Sequence, residues 1–262
     1  MGHPVLGDVE MGFLDDVGRF SKPTGINRRR LHGSVAHELA VRIISGQLKP
    51  GEVLPNEDDL SAAMEVSRTA YRESMRTLVA KGFVSAKPKV GTTVNPRSSW
   101  NILDSDVLSW YFEVKPDAEF IRSLFELRRI VEPAGAALAA TRHEDEDAVI
   151  LRQTMAAMRP TKESSAEGLE ADVAFHHAIL VAARNEPLLA LSSVIESTLR
   201  WSARLKMTAH PRIYEETLPD HVVVLEAILR RDSAGASASM ASLVDKALEE
   251  TLQTMQHQRA VA

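Results

Sequence analysis

The feature that most constrains this fold is an abrupt change of hydrophobic pattern near residue 82. Three helical patterns with apolar side chains at helical spacing come first, and two short β-prone runs joined through Pro88 and Gly91 follow. The helical patterns cover residues 31–45, 56–63 and 67–81, and the β-prone runs cover residues 83–86 and 92–95. Three helices and a hairpin within about seventy residues predict a winged helix-turn-helix.

The second half of the chain has a helical pattern throughout. Breaks fall at Pro160, Asn185, Pro187 and Pro211 and around Asp232. The predicted helices cover residues 117–142, 145–159, 166–183, 186–207, 214–230 and 233–258. Consecutive helices joined by short breaks predict an antiparallel all-α bundle, so the fold class is mainly α.

These patterns divide the chain into four predicted segments. Residues 1–27 form an N-terminal extension to which we assign no function, and residues 28–96 form the winged helix-turn-helix. Residues 97–116 form a connector with a short helix, and residues 117–262 form the bundle.

Charge is distributed unevenly between the two predicted domains. Residues 26–95 hold eleven Lys and Arg against seven Asp and Glu, whereas residues 96–262 hold eighteen against twenty-five. A basic segment ahead of an acidic one indicates that only the first approaches a polyanion. The bundle must therefore have a different role.

The absence of cysteine excludes several classes of site. Disulfide frameworks, thiolate zinc sites and cysteine nucleophiles all require residues that this chain lacks. No run of about 18 apolar residues is present, and the first residues do not have the pattern of a secretory signal. We therefore expect a cytoplasmic protein with no membrane partner.

The third predicted helix carries the residues best suited to contact DNA. Ser67 is placed to cap it. Arg68, Thr69 and Arg72 then lie on its first turns, where guanidinium groups can bind guanine edges or phosphate, and Arg76 lies one turn further on. The alternative is that the arginines form only a solvated basic face.

The predicted hairpin offers a second contact with nucleic acid. Lys87 and Lys89 lie at its turn, where cations reach phosphate or the minor groove, and Gly91 lets the backbone approach closely. A single helix reads only a few base pairs, so we expect a homodimer on a pseudo-palindromic operator in double-stranded DNA.

The stretch "ISGQLKPGEVLPNEDDLSAAMEVSRTAYRESMRTLVAKGFV", followed by "KVGTTV", resembles the winged helix-turn-helix of the GntR superfamily of bacterial transcription regulators. The resemblance implies a DNA-binding regulator rather than an enzyme. Asp58 departs from the pattern, because some relatives carry a basic DNA-contacting side chain there. This departure implies that the contact is lost here.

In the bundle, Asp172 and His176 are four residues apart, which places carboxylate and imidazole on one helix face. His221 begins a later helical pattern. Aspartate and imidazole together are a common ligand set for a divalent transition metal. The alternative for such a pair is a capped or salt-bridged histidine.

The segments "ELRRIVEPAGAALAA", "ADVAFHHAIL" and "LPDHVVVLEAI" resemble the C-terminal ligand-binding (FCD) domain of FadR-type GntR regulators. The resemblance implies that Asp172, His176 and His221 are metal ligands, for zinc, nickel or manganese, and that they and Arg128 bind an effector. The alternative for Arg128 is a salt bridge with Glu132, one helical turn later. The fourth family ligand is replaced by Leu243. Either three protein ligands hold a metal, or the histidines bind the effector directly.

The connector "SSWNILDSDVLSWY" resembles that of sugar-acid-responsive members such as galactonate-type repressors, which implies a small carboxylate effector that releases a repressor from DNA. Arg200, Trp201 and Arg204 are further candidates for the cavity, whereas His177 should point away from it. Two alternatives stay open at this point: a metal-dependent hydrolase with a vestigial DNA-binding segment, and a DNA-binding protein without an effector.

Overall fold

A computed structural model describes residues 28–88, 90–114, 116–158, 165–209 and 213–261. The chain divides into two compact units, Met1–Lys115 and Pro116–Ala262. The predicted fold class is confirmed: a small unit of helices with one hairpin precedes a unit that is helical throughout. The predicted extension, residues 1–27, lies outside the described residues, as does Lys89.

The first unit begins with three helices and a two-stranded sheet. They are α1 (Arg28–Ile44), α2 (Glu57–Ala63), α3 (Arg68–Ala80), β1 (Val84–Lys87) and β2 (Gly91–Val94). Asn56 caps α2 by accepting a hydrogen bond from the Asp59 amide. The helices bury one face each in a core that includes Leu39, Leu60 and Leu78.

The hairpin is antiparallel, and Val84 pairs with Val94 and Lys87 with Gly91. The segment between α1 and α2 adds to its edge, because the Leu54 amide donates to the Thr92 carbonyl at 2.7 Å. The hairpin is therefore fixed to the helices through backbone hydrogen bonds as well as through its buried valines.

The predicted connector packs against the first unit. It contains a 3-10 turn, Arg97–Ser99, and helix α4 (Ser105–Glu113), which contacts α1. Val107 is fully buried in the first core, and Trp110 packs against it. Lys81, the residue after the end of α3, binds Asp104 Oδ1 at 2.6 Å and Asp106 Oδ2 at 2.8 Å. The connector helix is thus part of the unit that contains the hairpin.

The second unit is an all-α bundle in which the first and last helices make the most extensive contact. Its helices are α5 (Ala118–Arg142), α6 (Asp145–Ala157), α7 (Ser165–Ala182), α8 (Glu186–Leu189), α9 (Ser192–Ala209), α10 (Ile213–Leu229) and α11 (Ser233–Val261). Pro133 lies inside α5 without ending it. Among the described residues, no helix combines the length and apolar character that crossing a bilayer requires.

One predicted helix was wrong. The pattern over residues 186–207 predicts a single helix, but the structure has α8 and α9 separated by Ala190 and Leu191. The Leu191 amide donates to the Leu188 carbonyl, three residues back, instead of the carbonyl four residues back. This tighter turn ends α8 and lets the chain begin α9 afresh.

Candidate functional site

The third helix presents a basic face to solvent. Ser67 caps it by accepting a hydrogen bond from the Ala70 amide at 3.2 Å. Arg68, Thr69 and Arg72 are all exposed, and the two arginine side chains are 70% and 65% accessible. The cations therefore lie on the first turns of α3, where they can reach a groove of DNA.

Carboxylates of α2 lie beside these arginines. Arg68 Nη2 is 3.0 Å from Asp58 Oδ1. Arg72 Nε donates to both oxygens of Glu57, at 2.9 and 3.0 Å. Asp58, where the family resemblance implies a lost DNA contact, therefore pairs with Arg68, the first arginine of α3. This ion pair was not predicted from the sequence.

The hairpin turn places Lys87 and Gly91 at the surface. Gly91 has a φ of 99°, and a Cβ there would lie 3.3 Å from Val53 Cγ1. Glycine therefore suits both the backbone conformation and the close packing at this turn. Both residues lie where a wing can contact the DNA backbone.

In the bundle, the three predicted metal ligands line one cavity of about 40 Å³. Side chains of α5, α7, α9, α10 and α11 form its walls. They are Arg128, Asp172, His176, Leu199, Ser202, Ala203, Lys206, Thr217, His221, Leu243, Lys246, Ala247 and Glu250. Since a cavity needs roughly 10 to 15 Å³ to hold one water, this cavity has room for an ion with water, or for a small acid group.

Asp172, His176 and His221 converge there. Asp172 Oδ1 is 3.1 Å from His221 Nε2 and 3.5 Å from His176 Nε2. All three residues are buried, and one ligand atom from each lies within 4.8 Å of the others. Asp172 and His176 share one face of α7, and α10 places His221 beside them. The structure thus brings together the three metal ligands that were predicted from the sequence.

The outer nitrogens of both imidazoles are held by acceptors. His221 Nδ1 donates to the Thr217 carbonyl at 2.8 Å, one turn earlier on α10. His176 Nδ1 donates to Glu132 Oε2 on α5. A hydrogen-bonded Nδ1 fixes the ring and leaves Nε2 to face a ligand, as in many metal sites.

These contacts shift the protonation of the cluster. Burial alone would raise the pKa of Glu132, but Arg128 and His176 lower it to about 2. Burial alone would lower the pKa of His176, but Glu132 and Asp172 raise it to about 9. His176 and His221 likewise hold the pKa of Asp172 well below its usual range, against the effect of burial. Both carboxylates are therefore ionised at neutral pH.

Arg128 is almost completely buried, with 2% of its side chain accessible. Its Nε donates to Glu132 Oε1 at 2.6 Å. Its Nη1 is also buried and makes no hydrogen bond to any residue in the described part of the chain. Both the predicted cavity position and the alternative, a salt bridge with Glu132, are therefore present in the structure.

Leu243 is buried in the cavity wall, so the position of the fourth family ligand faces the site with an aliphatic side chain. Ala247, one turn later, lines the same wall. Asp245 points elsewhere and binds Arg129 at 3.0 Å. No ligand from this part of α11 replaces the missing imidazole.

Other predicted cavity residues lie outside it. Arg200 binds Glu170, and both line a separate surface groove with His177. Trp201 and Arg204 are not among the residues that line the cavity. His177 Nδ1 is 2.9 Å from Glu196 Oε1, consistent with the expectation that it points away from Asp172.

Several residues in or next to the cavity were not predicted from the sequence. Glu132 was considered only as a partner of Arg128, and its bond to His176 joins residues 44 positions apart. Lys206 and Glu250, which bind each other at 2.9 Å, are also 44 positions apart. Thr217 had a local signal, since it lies four residues before His221 on one helix.

The geometry and chemistry of the donors fit a divalent transition metal. One carboxylate and two imidazole Nε2 atoms face one another, the outer nitrogens are anchored, and the site is buried. Three protein ligands leave the remaining coordination positions to oxygen atoms of water or a bound acid.

Comparison with known proteins gives two family matches. Residues 31–94 match the gntR family of bacterial regulatory proteins, and residues 123–246 match the FCD domain. The first match contains α2, α3 and the hairpin, and the second contains Arg128 and the three candidate ligands. The two matches together span both units of the structure.

Two relatives from Escherichia coli K12 are similar over most of the chain. The HTH-type transcriptional regulator YieP is 32% identical over 83% of this chain and 94% of its own length. The galactonate operon transcriptional repressor is 32% identical over 79% of this chain and 90% of its own length. The solved structure of Lar, which controls expression of the Listeria monocytogenes agr system, is similar in fold, with a TM-score of 0.63 and 19% identity over 88% of this chain and 99% of that chain.

Proposed function

Because the chain belongs to the GntR family of bacterial transcription regulators and carries an FCD domain, we propose that a small carboxylate effector binds in the bundle cavity and controls operator binding. The relatives are regulators, so the hydrolase alternative is set aside. The protein is a DNA-binding transcription regulator.

Operator reading is assigned to α3 and the hairpin. Arg68, Thr69 and Arg72 contact base edges or phosphate, and Ser67 holds the start of the helix in place. Gly91 and the lysines of the wing, Lys89 included, contact the backbone. Two copies related by a two-fold axis bind the two halves of a pseudo-palindromic operator in the cytoplasm.

The observation that carries the effector proposal is the buried Nη1 of Arg128. A buried donor needs an acceptor, and none is supplied by the residues that the structure describes. Glu132 already occupies the Nε edge of the same guanidinium. An effector carboxylate that entered the cavity would supply oxygen acceptors to Nη1 at a site that is already charged.

Asp172, His176 and His221 would hold a divalent metal beside this arginine. When bound, such an ion supplies a positive charge and open coordination positions for effector oxygens. Arg128 would orient the acid group, and Glu132 would keep both Arg128 and His176 in place. The residues themselves therefore define an anion-binding end of the cavity.

The relatives suggest the chemical class of the effector. One of them is named as the repressor of a galactonate operon, and galactonate is a hydroxylated carboxylic acid. By that similarity we assign a sugar acid to this cavity. Its binding releases the repressor from DNA. Because the cavity is only about 40 Å³, binding of a sugar acid requires its walls to separate.

A thermal shift screen tests this proposal. Purified protein, stripped with a chelator, is heated with a panel of sugar acids, each with and without Zn²⁺, Ni²⁺ or Mn²⁺. A true effector raises the melting temperature by mass action, and the rise is lost in Arg128→Lys, which keeps the charge but not the guanidinium fork. No shift with any acid or metal would favour the alternative, a DNA-binding protein without an effector.

A further inference from the structure

Asp58 and Arg68 form an ion pair between two helices at the DNA-facing surface. Asp58 lies in the first turn of α2, Arg68 is the first residue of α3, and Asp58 Oδ1 is 3.0 Å from Arg68 Nη2. Both side chains are about two-thirds exposed, at 68% and 70%. The pair is therefore formed on the surface that approaches the operator, not inside the protein.

The pair restricts Arg68 without blocking it. A guanidinium has five N–H donors, and Asp58 takes only one of its Nη groups. The other edge of the fork stays available for the O6 and N7 atoms of guanine. A long side chain that is already held in place loses less conformational entropy when it binds a base.

The same carboxylate opposes binding to the phosphate backbone. Phosphate contacts are electrostatic and independent of sequence, so a negative charge next to Arg68 weakens them on any DNA. A guanine fork depends on directional hydrogen bonds, which the aspartate leaves intact. The pairing thus penalises sequence-independent contacts by Arg68 more than its contact with a base.

We infer that Asp58 is a specificity-determining residue, which positions Arg68 for a base and lowers the affinity of the protein for unrelated DNA. This inference rests on the proposed base-reading role of Arg68. Asp58 has no substitute in the neighbouring acids, because Asp59 binds Asn56 and Glu57 binds Arg72.

The test compares Asp58→Asn with Asp59→Asn in the full-length protein. The two substitutions remove the same charge from adjacent exposed positions of α2, and only the first breaks the contact with Arg68. The probes are a duplex selected from a random library by the wild-type protein and a scrambled duplex of the same length. Dissociation constants for both duplexes give the selectivity ratio of each variant.

We expect Asp58→Asn to lower the selectivity ratio by about 5-fold, the upper range for an exposed ion pair, mainly through tighter binding to the scrambled duplex. Asp59→Asn should leave the ratio unchanged. Repeating the library selection with Asp58→Asn should show a weaker base preference at one position of each half-site, a result that a purely structural role would not give. Circular dichroism verifies that both variants are folded.

Two results would overturn the inference. If Asp58→Asn and Asp59→Asn change binding to both duplexes equally, Asp58 acts only as a charge and does not determine specificity. Arg68→Ala separates this outcome from failure of the underlying role. If Arg68→Ala binds the selected duplex as wild type does, Arg68 reads no base, and both the inference and that part of the proposed function are wrong.

Discussion

Glu132 on α5 joins His176 on α7 to the buried guanidinium of the bundle. Its Oε2 accepts a hydrogen bond from His176 Nδ1, and its Oε1 accepts one from Arg128 Nε at 2.6 Å. One carboxylate therefore fixes a candidate metal ligand and a candidate effector-binding group together. A change at Glu132 should affect metal and effector binding while leaving the DNA-binding unit intact.

Glu132→Gln should weaken metal binding by about 10- to 100-fold, the range found when the outer partner of a histidine ligand is removed. Titration calorimetry with Zn²⁺, Ni²⁺ and Mn²⁺ measures the affinity. The matched control is Glu196→Gln, which alters an equivalent contact of the adjacent His177 outside the cavity. Equal affinities in the two variants would show that Glu132 does not support a metal site.

Arg72→Ala should weaken operator binding by roughly 1 to 3 kcal/mol if the lost contact is to a base. Folding should be unaffected, because the side chain is 65% exposed. Fluorescence anisotropy with the library-selected duplex measures the loss, and Arg122→Ala, an exposed arginine of the bundle, is the control. Wild-type affinity in both Arg72→Ala and Arg68→Ala would exclude α3 as the reading helix.

The double substitution Asp172→Ala with His176→Ala should abolish the effector response and leave effector-free operator binding in place. In the wild type, an acid identified in the thermal screen should change operator affinity by about 5- to 150-fold, the range of typical allosteric coupling. His177→Ala, on the same helix but outside the cavity, should respond normally. A normal response in the double variant would place the sensing site elsewhere.

The metal-free protein should lose stability between pH 6.5 and about 9. The pKa of His176 is raised from 6.5 to about 9, so its protonated ring stabilises the fold fully below pH 6.5 and progressively less as the pH rises to 9. Metal affinity should rise over the same range, because Nε2 must lose its proton to bind an ion. Melting curves recorded with a chelator measure the loss of stability. In His176→Gln the stability should decline less over this pH range. An equal decline in this variant would show that other groups cause it.

Leu243→His should increase metal affinity, because residue 243 already faces the cavity that holds the three candidate ligands. The gain should be at least about 10-fold, since a direct ligand contributes no less than its outer partners. Leu243→Ala controls for the lost aliphatic packing. If the histidine variant binds metal no better than the alanine variant, Asp172, His176 and His221 do not form a coordination site.

Local signals predicted most of the fold. Ser67 acts as the predicted helix cap, and the run through Pro88 and Gly91 forms the predicted hairpin, because caps and turns depend on residues a few positions apart. The division between α8 and α9 had no such signal, since neither proline nor glycine stands at residues 190–191. A turn made of alanine and leucine depends on tertiary packing and cannot be read from propensity.

Helical spacing predicted the candidate site only within one helix, and placing His221 and Arg128 at the same site depended on the family resemblance. Asp172 and His176 share a face of α7, so their spacing was sufficient to pair them. The contacts of Glu132 with His176 and of Lys206 with Glu250 join different helices over 44 residues, and the sequence contains no periodic pattern at that distance. The pairing of Asp58 with Arg68 was missed for the same reason.

The end of α3 is tied to the connector by backbone as well as by charge. The Asn101 amide donates to the Lys81 carbonyl at 3.0 Å, and a Cβ on Gly82 would lie only 2.0 Å from the Ser99 carbonyl oxygen. Lys81 also binds Asp104 and Asp106 at the start of α4. The helix that carries Arg68 therefore cannot shift along its axis without moving the connector, so any displacement of the connector is transmitted directly to α3.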